Sequence, residues 1–339
     1  MTTLPGQHPA TAGHGRSAAD ACSVLSDVDG TSAFGTAAPA RFFVVLEQNG
    51  PWGRVAARQS HLDPGLGGDL ETRCTRLGGR FMLMRRPSGH PDQPHPRQVL
   101  VAWTGGERPA EAWLLLAELG RAGDLVGLDW HALAAGDRRA VAASLPGSVT
   151  APPALLVCTN GRRDVCCAVR GRPLAAAAHA LAPDRVWEVS HTGGHRFSPT
   201  AVLLPWGQNY ARLDDASTAE LLTTSVEGNT PTTLFGPLHD RGRSGIPSAQ
   251  ACAESFVRGL AGETSLSAFT TRPASVGFDH ETDEDTGGVA TGAIEVAHTD
   301  GRRWLVHVER VASGPVRPGS CAAKAFPVVE HRARLVDGP

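Results

Sequence analysis

The sequence predicts an α/β fold in which one order of elements occurs twice, followed by an α+β region. Three observations support this prediction. Several strand-like runs are apolar throughout, as expected of strands covered on both faces. The order strand, helix, strand, strand, helix recurs between residues 21 and 236. After residue 236 an amphipathic helix and a hairpin pattern replace it.

The first set of elements begins with "RFFVVLE", a run rich in the β-branched and aromatic residues that favour strands. The predicted elements are a strand at 41–47, a helix at 69–79, strands at 80–86 and 98–103, and a helix at 107–123. Pro109 near the start of the last segment and Gly120 near its end are typical of helix boundaries.

The second set has the same order. The predicted elements are a strand at 153–158, a helix at 172–182, strands at 185–190 and 200–206, and a helix at 214–228. Pro173 opens the first of these helices. The two sets align from "VVLEQNG" at 44–50 with "LLVCTNG" at 155–161, so Glu47 stands where the second set has Cys158. We interpret the two sets as thioredoxin-like units in tandem.

These patterns divide the chain into four regions. They are a flexible tail at 1–20, a degenerate thioredoxin-like unit at 21–148, a second unit at 149–236 and an α+β region at 237–339. In the last region "PSAQACAESFVRGLAG" predicts an amphipathic helix. Asp300-Gly301 between two alternating runs suits a type I′ hairpin turn.

Composition narrows the function classes. The formal net charge is −2, which gives no electrostatic reason to expect nucleic acid or a membrane surface as a partner. No apolar run approaches the roughly 18 residues of a bilayer span, and the first residues lack the pattern of a secretory signal. Seven cysteines without such a signal predict a reducing compartment, the cytoplasm, where clustered cysteines bind metal or do redox work.

Five candidate ligands fall within 38 residues, 158–195. Cys158 ends a predicted buried strand, at the sheet edge where α/β proteins place their chemistry. Cys166 and Cys167 lie just before a predicted helix, whose dipole favours thiolate, the form that binds metal. His191 and His195 bracket two glycines in a loop after another strand.

This constellation is C-x8-C, or C-x7-C, followed by H-x3-H. It is compatible with a closed structural zinc site, with a dithiol redox site, and with a [2Fe–2S] cluster that has mixed ligands. The dithiol interpretation lacks the usual C-x-x-C spacing. The alternative, that these residues are buried small hydrophobes and ordinary loop histidines, fits a lone cysteine better than five converging candidates.

The stretch "CTNGRRDVCCAVRGRPLA…VWEVSHTGGHRFSPTAVLLPWGQNYARL" resembles the sucrase/ferredoxin-like family. The resemblance is dense over about 150–215. It implies a thioredoxin-like [2Fe–2S] ferredoxin of the bis-histidinyl type, with the cluster in the unit at 149–236. The implied ligands are Cys158, Cys167, His191 and His195, because bis-histidinyl members keep the C-x8-C spacing; Cys166 receives no role. Nothing in these residues supports sugar hydrolysis.

The ligand set has a physical consequence. Two thiolates and two neutral imidazoles leave an oxidised [2Fe–2S] core near zero charge, which favours a raised potential by analogy with Rieske centres. Because a histidine ligand can lose its outer proton, we expect potentiometry to show a potential that falls as the pH rises. The function expected is an electron carrier with an unidentified redox partner protein. The sequence contains no G-x-S-x-G motif that would indicate a hydrolase and no G-x-G-x-x-G motif that would indicate a nucleotide-binding enzyme.

Other residues carry weaker expectations. Three arginines flank the ligands: Arg162, Arg163 and Arg196. They would stabilise a reduced, more negative cluster or bind an acidic electron-donor protein. Alternatively, they belong to the generally high arginine content of the chain. The remaining cysteines and two further histidines are expected to be structural or loop residues: Cys22, Cys74, Cys252, Cys321, His90 and His95.

Overall fold

The computed structural model describes residues 22–87, 96–274, 281–282, 289–320 and 324–339. The predicted tail at 1–20, His90, His95 and Cys321 lie outside these residues. None of the helices in the described ranges is both long and apolar enough to cross a lipid bilayer.

Helices and strands alternate along most of the chain. The helices are α1 Cys22–Val28, α2 Ala56–Gln59, α3 Pro64–Arg76, α4 Trp130–Ala135, α5 Arg138–Ser144, α6 Val165–Leu181, α7 Asp215–Thr224 and α8 Ser248–Ala261. The strands are β1 Phe42–Glu47, β2 Arg80–Arg85, β3 Arg97–Trp103, β4 Trp113–Leu119, β5 Val149–Thr150, β6 Ala154–Cys158, β7 Val186–Val189, β8 Ala201–Leu204, β9 Gln208–Tyr210, β10 Asp240–Arg243, β11 Phe269–Pro273, β12 Glu281–Thr282, β13 Val289–His298, β14 Arg303–Pro318 and β15 Ala325–Asp337.

The fold is mixed α/β and is organised around a ten-stranded mixed sheet. Its strand order is β10-β9-β8-β6-β7-β2-β1-β3-β4-β5. One pairing pattern occurs on each side of the centre. On one side β1 is parallel to β2 and antiparallel to β3, which pairs with β4. On the other side β6 is parallel to β7 and antiparallel to β8, which pairs with β9.

The two sides meet through β2 and β7, which run antiparallel and overlap only at their carboxyl ends. Met84 lies opposite Val189, and Arg85 lies opposite Glu188. The side chains of Arg85 and Glu188 form a buried ion pair at 2.6 Å. The carboxyl ends of the parallel pairs on both sides therefore converge on the middle of the sheet, where the predicted ligands lie.

The central strands are buried on both faces, as their uninterrupted apolar sequences predict. All six residues of β1 are buried. Phe42, Val44 and Leu46 contribute to one core cluster, and Phe43 and Val45 to another. Because successive residues of a strand point to opposite faces, one apolar run supplies two layers of core.

The prediction of a helix at 107–123 is wrong. This segment holds a short 3-10 turn and then β4, which pairs antiparallel with β3 along its whole length. Leucine and alanine favour helices in isolation, but pairing with β3 buries alternate residues on opposite faces, and this tertiary contact outweighs the local propensity. Trp113 and Leu115 join one core cluster, whereas Leu114 joins the other.

The start of α6 is also earlier than predicted. The helix begins at Val165, so Cys166 and Cys167 lie in its first turn and Pro173 lies inside it. Asp164 caps the helix by accepting a hydrogen bond from the backbone N–H of Cys166 at 3.1 Å. The Pro173 signal was misleading because a buried face on both sides of the proline holds the helix against the sheet.

The C-terminal residues form a second, antiparallel sheet against which α8 packs. The strand order is β11-β13-β14-β15, with β12 on the edge of β13. Ala253 and Val257 of α8 share a core cluster with Ile294 and Val306. The hairpin at Asp300-Gly301 is confirmed, but its turn is not type I′, because Gly301 has a positive φ of 98° and Asp300 does not.

A buried ion network joins α8 to the edge of the large sheet. Arg243 of β10 donates to both carboxylate oxygens of Glu254, and Arg258 donates to Oε1 at 3.1 Å. All three side chains are at most 3% exposed. Burial raises the pKa of Glu254, but the two guanidinium groups outweigh it and hold the pKa below its usual value.

We therefore expect Glu254→Gln to lower the free energy of unfolding by about 3 kcal/mol or more, because it leaves two buried cations without their counter-charge. The contribution of Glu254 is fully present above the ordinary glutamate pKa and is lost as the pH falls through the lower folded-state value. Urea titrations between pH 7 and pH 3 measure this. Glu111→Gln, which breaks the exposed pair with Arg108, is the control and should cost less than about 1 kcal/mol; equal costs would contradict the prediction.

Candidate metal centre

Cys158 is the last residue of β6 and is buried at the centre of the large sheet. The approach of α6 depends on Gly171, because a Cβ there would collide with the backbone oxygen of Cys158. The close packing of helix on strand brings the first turn of α6, with Cys167, next to the strand end. Local sequence therefore places one thiol on a strand and the other on the helix that crosses it.

The histidine loop follows β7. His191 and His195 are half-buried, and Gly193 and Gly194 between them both adopt positive φ angles, 83° and 71°. Only residues without a Cβ adopt these angles at little cost, so the two glycines allow the loop to turn back sharply. As a result the imidazole rings of His191 and His195 stack, with their centroids 4.9 Å apart.

The four predicted ligands contact one another in a closed ring. The thiols of Cys158 and Cys167 are hydrogen-bonded to each other, and Cys158 also hydrogen-bonds to His191. Cys167 Sγ lies 3.9 Å from His195 Nδ1. The ring of Cys158, Cys167, His195 and His191 thus has a sulfur side and an imidazole side. We call these four residues the ligand ring.

The protonation states in the ligand ring suit metal binding. The hydrogen bond from Cys167 lowers the pKa of Cys158 well below its ordinary value, and contacts with His191 and the backbone N–H of Thr192 act in the same direction, against the effect of burial. The same hydrogen bond between Cys158 and Cys167 raises the pKa of Cys167, and burial raises it further. Burial lowers the pKa of His191 to about 4 and also lowers that of His195, so both imidazoles are neutral at pH 7.

Two arginines outside the predicted site hold the histidine loop by its backbone. Arg80, at the start of β2, donates to the carbonyl oxygens of His191 and Thr192 at 3.0 and 3.1 Å. Arg241, on β10, is 1% exposed and donates to the carbonyl of Gly193 at 3.1 Å and to that of Thr36. Neither forms an ion pair with a carboxylate among the described residues, so two positive charges that no ion pair neutralises lie beside the thiols.

The residues present fit a metal-containing group. Neutral imidazoles and cysteine sulfurs are the donors that zinc and iron–sulfur clusters use, and the pKa of the Cys158 thiol is already lowered. His191 Nδ1 is buried and has no hydrogen-bond partner, an arrangement that costs free energy unless the nitrogen binds something. Among the described residues, the group whose donor atoms all lie within 4.8 Å of one another is Cys22, Asp164 and Cys166; the ligand ring does not form such a group.

A family comparison covers the segment that holds the ligand ring. Residues 95–236 match the sucrase/ferredoxin-like family. The predicted resemblance is confirmed over this segment, which contains the whole ligand ring. The sucrase/ferredoxin-like segment excludes β1 and β2, so Arg80 lies before it, and Arg241 lies after it. Comparisons of the chain with curated proteins and with solved structures give no significant match.

Cys166, for which the sequence suggests no role, points away from the ligand ring. Its sulfur lies 3.5 Å from that of Cys22 in α1, and both side chains are buried. Cys22, which is isolated in the sequence and was expected to be structural, is therefore paired with Cys166 in space. Cys74 and Cys252 are buried, and burial raises the pKa of both thiols, as expected of structural cysteines.

A basic cavity opens beside the sucrase/ferredoxin-like segment. It has a volume of about 160 Å³ and is lined by Arg54, Arg80, Arg163 and His191, with Glu71 the one carboxylate among its described lining residues. Arg163 is half-buried and donates to the carbonyl of Arg54 at 3.3 Å, whereas Arg162 is exposed and does not line the cavity. The cavity gives solvent a positively charged approach to the imidazole side of the ligand ring.

A substitution at Gly194 tests whether Arg241 holds the histidine loop. A Cβ at Gly194 would collide with the guanidinium of Arg241, which its own hydrogen bonds keep in place. We expect Gly194→Ala to displace Arg241 or the loop and to lower the metal content of purified protein. Gly262→Ala, at a similar φ of 67° with no atom within 4 Å, is the control and should cost only about 1 kcal/mol with metal content unchanged. Metal analysis and thermal unfolding measure both; equal losses of metal would contradict the prediction.

Proposed function

We propose that the protein is an electron carrier that binds a [2Fe–2S] cluster through Cys158, Cys167, His191 and His195. The observation that carries this proposal is the ligand ring, in which two contacting thiols face two stacked imidazoles. A [2Fe–2S] cluster has two metal ions, each of which needs two protein ligands, and the sulfur and imidazole sides supply one pair each. When bound, such a cluster accepts and returns one electron.

The repeated strand pairing supports two thioredoxin-like units, of which the second holds the ligands. In the first unit Glu47 ends β1 as Cys158 ends β6. The carboxylate of Glu47 accepts a hydrogen bond from the backbone N–H of Gln98 at 3.0 Å, so it serves as a brace between β1 and β3. We infer that the first unit has no cluster of its own and instead contributes Arg80 and one wall of the basic cavity.

The surrounding charges favour reduction of the site. Two neutral imidazoles and two thiolates give a less negative group than four thiolates would. The guanidinium groups of Arg80 and Arg241 add positive charge in a poorly solvated region, where charge interactions are strong. We expect a raised potential, and the protein would act in the cytoplasm with an acidic redox partner that docks over the basic cavity.

Two other functions remain as alternatives. A structural zinc site would use the same donors, but a tetrahedral ion needs all its ligands close together, and the donor atoms of the ligand ring do not all lie within 4.8 Å of one another. A thiol oxidoreductase is favoured by the contact between Cys158 and Cys167 and by the lowered pKa of Cys158. It does not account for the stacked, neutral histidines.

Replacement of single ligands separates these functions. Anaerobically purified wild-type protein should be brown and contain about two irons and two acid-labile sulfides per chain. His191→Ala and Cys158→Ser should each lose this chromophore, because each removes one of the four proposed ligands. Cys166→Ser and His179→Ala, which change a cysteine outside the ring and a histidine on α6, should keep it. One zinc per chain without sulfide would favour the structural site, and a dithiol activity that survives His191→Ala would favour the oxidoreductase.

The basic cavity predicts a charge-dependent rate of reduction. Arg163→Glu should slow reduction of the chromophore by dithionite, an anionic reductant, by roughly three- to ten-fold at low salt, and should not slow reduction by the cationic methyl viologen radical. The effect should shrink at high ionic strength because salt screens exposed charge. Stopped-flow absorbance measures these rates. Arg162→Glu changes the net charge equally and is the control; if it slows dithionite as much, the cavity is not the point of approach.

A further inference from the structure

We propose that Cys22 and Cys166 form a reversible disulfide bond that ties α1 to α6 beside the metal centre. The two residues are 144 positions apart, yet their sulfur atoms lie 3.5 Å from each other. Cys22 is 2% exposed and Cys166 is 4% exposed. Neither belongs to the ligand ring, so this proposal does not depend on the proposed cluster.

The geometry allows the bond to form with small movements. A disulfide has a sulfur–sulfur distance of about 2.05 Å, so the two atoms need to approach by about 1.5 Å. Cys22 is the first residue of α1, and Cys166 is the second residue of α6. Residues at helix ends can shift without breaking the hydrogen bonds of the helix interior, because the first backbone N–H groups have no partners within the helix.

Independent contacts hold the two helices in this register. The carboxylate of Asp27 in α1 pairs with Arg170 of α6 at 2.7 Å and with Arg212 at 2.8 Å. Arg170 lies one turn beyond Cys166 on α6. A salt bridge and a thiol pair thus link α1 to the same helix at two points, and the thiols meet because the ion pairs place α1 there.

The turn that carries His195 lies in the same contact region. Ser198 donates its hydroxyl hydrogen to the carbonyl of Cys166 at 3.0 Å, and Arg170 donates to the carbonyl of Ser198 at 2.9 Å. The segment from His195 to Ser198 is thereby attached to α6 at Cys166 and, one turn later, at Arg170. A covalent bond between α1 and α6 would restrain this segment and, with it, one of the predicted ligands.

Metal binding is the competing use of the same thiols. Asp164 is the third member of this buried group, but its carboxylate already accepts the backbone N–H of Cys166 as the cap of α6. A metal ion would have to share this carboxylate with the helix cap, whereas a disulfide needs only the two sulfurs. The observations therefore favour the bond over the ion.

The redox step is a two-electron oxidation. Two thiols lose two protons and two electrons to form one disulfide, and hydrogen peroxide accepts them and becomes two molecules of water. Oxidised glutathione performs the same step through a mixed disulfide and leaves as two glutathione thiols. Because both thiols are buried, the oxidant reaches them when the seven-residue α1 separates briefly from α6.

The experiment is a peptide map of the full chain. Protein is treated with hydrogen peroxide or oxidised glutathione, remaining thiols are alkylated, and the chain is cut with trypsin. Cleavage after arginine yields peptides 17–41, with Cys22, and 164–170, with Cys166 and Cys167. We expect these two peptides to be joined in wild-type protein, with Cys166 identified by fragmentation, and to separate after treatment with dithiothreitol.

Variants make the assignment independent of the metal centre. The joined peptides should be absent from Cys22→Ser and Cys166→Ser, unchanged in the buried control Cys252→Ser, and still present in Cys167→Ser, which removes a predicted ligand. Oxidised wild-type protein should also melt about 4 °C or more above the reduced form, because the bond restrains the unfolded chain. Only alkylated thiols in oxidised wild-type protein, or a link to Cys167, would overturn the proposal, as would one zinc ion per chain that Cys22→Ser loses.

Discussion

The pairing of β2 with β7 is the contact on which the candidate site depends. It is short, and the buried ion pair of Arg85 with Glu188 lies in it. Glu188 also accepts a hydrogen bond from the hydroxyl of Thr159, the residue after Cys158, at 3.1 Å. Because β2 ends beside β7, Arg80 at its other end reaches the histidine loop. Without the pairing of β2 with β7, the histidine loop would lose its hydrogen bonds to Arg80.

Charge is the second constraint on the site. Buried arginines usually pair with carboxylates, as Arg243 and Arg258 do with Glu254. Arg80 and Arg241 instead donate to backbone carbonyls beside two thiols. Burial lowers the pKa of these guanidiniums to about 10 and about 9, yet both stay protonated at pH 7. They therefore serve both as supports of the loop and as a source of positive potential that favours thiolates and, in the proposed function, added electrons.

The elements that the sequence predicted correctly are those whose own residues decide their structure. The apolar runs of β1 and β6, the capped helix α7 and the hairpin at Gly301 fall in this class. The segment that became β4 was predicted as a helix because its leucines and alanine suit either structure. Pairing with β3 made this segment a strand, and the local sequence pattern contains no information about a partner strand.

The sequence by itself determined where the candidate ligands lie, because Cys158, Cys166, Cys167, His191 and His195 fall within one short stretch, and the family resemblance implies Cys167 rather than Cys166. It also indicated that one order of elements occurs twice along the chain, but not how the strands pair in the sheet. Only the tertiary structure decided that Arg80 and Arg241 hold the histidine loop and that Cys22 meets Cys166. These contacts join residues many positions apart, and the strand pairing and helix packing that bring them together leave no trace in the local order of amino acids.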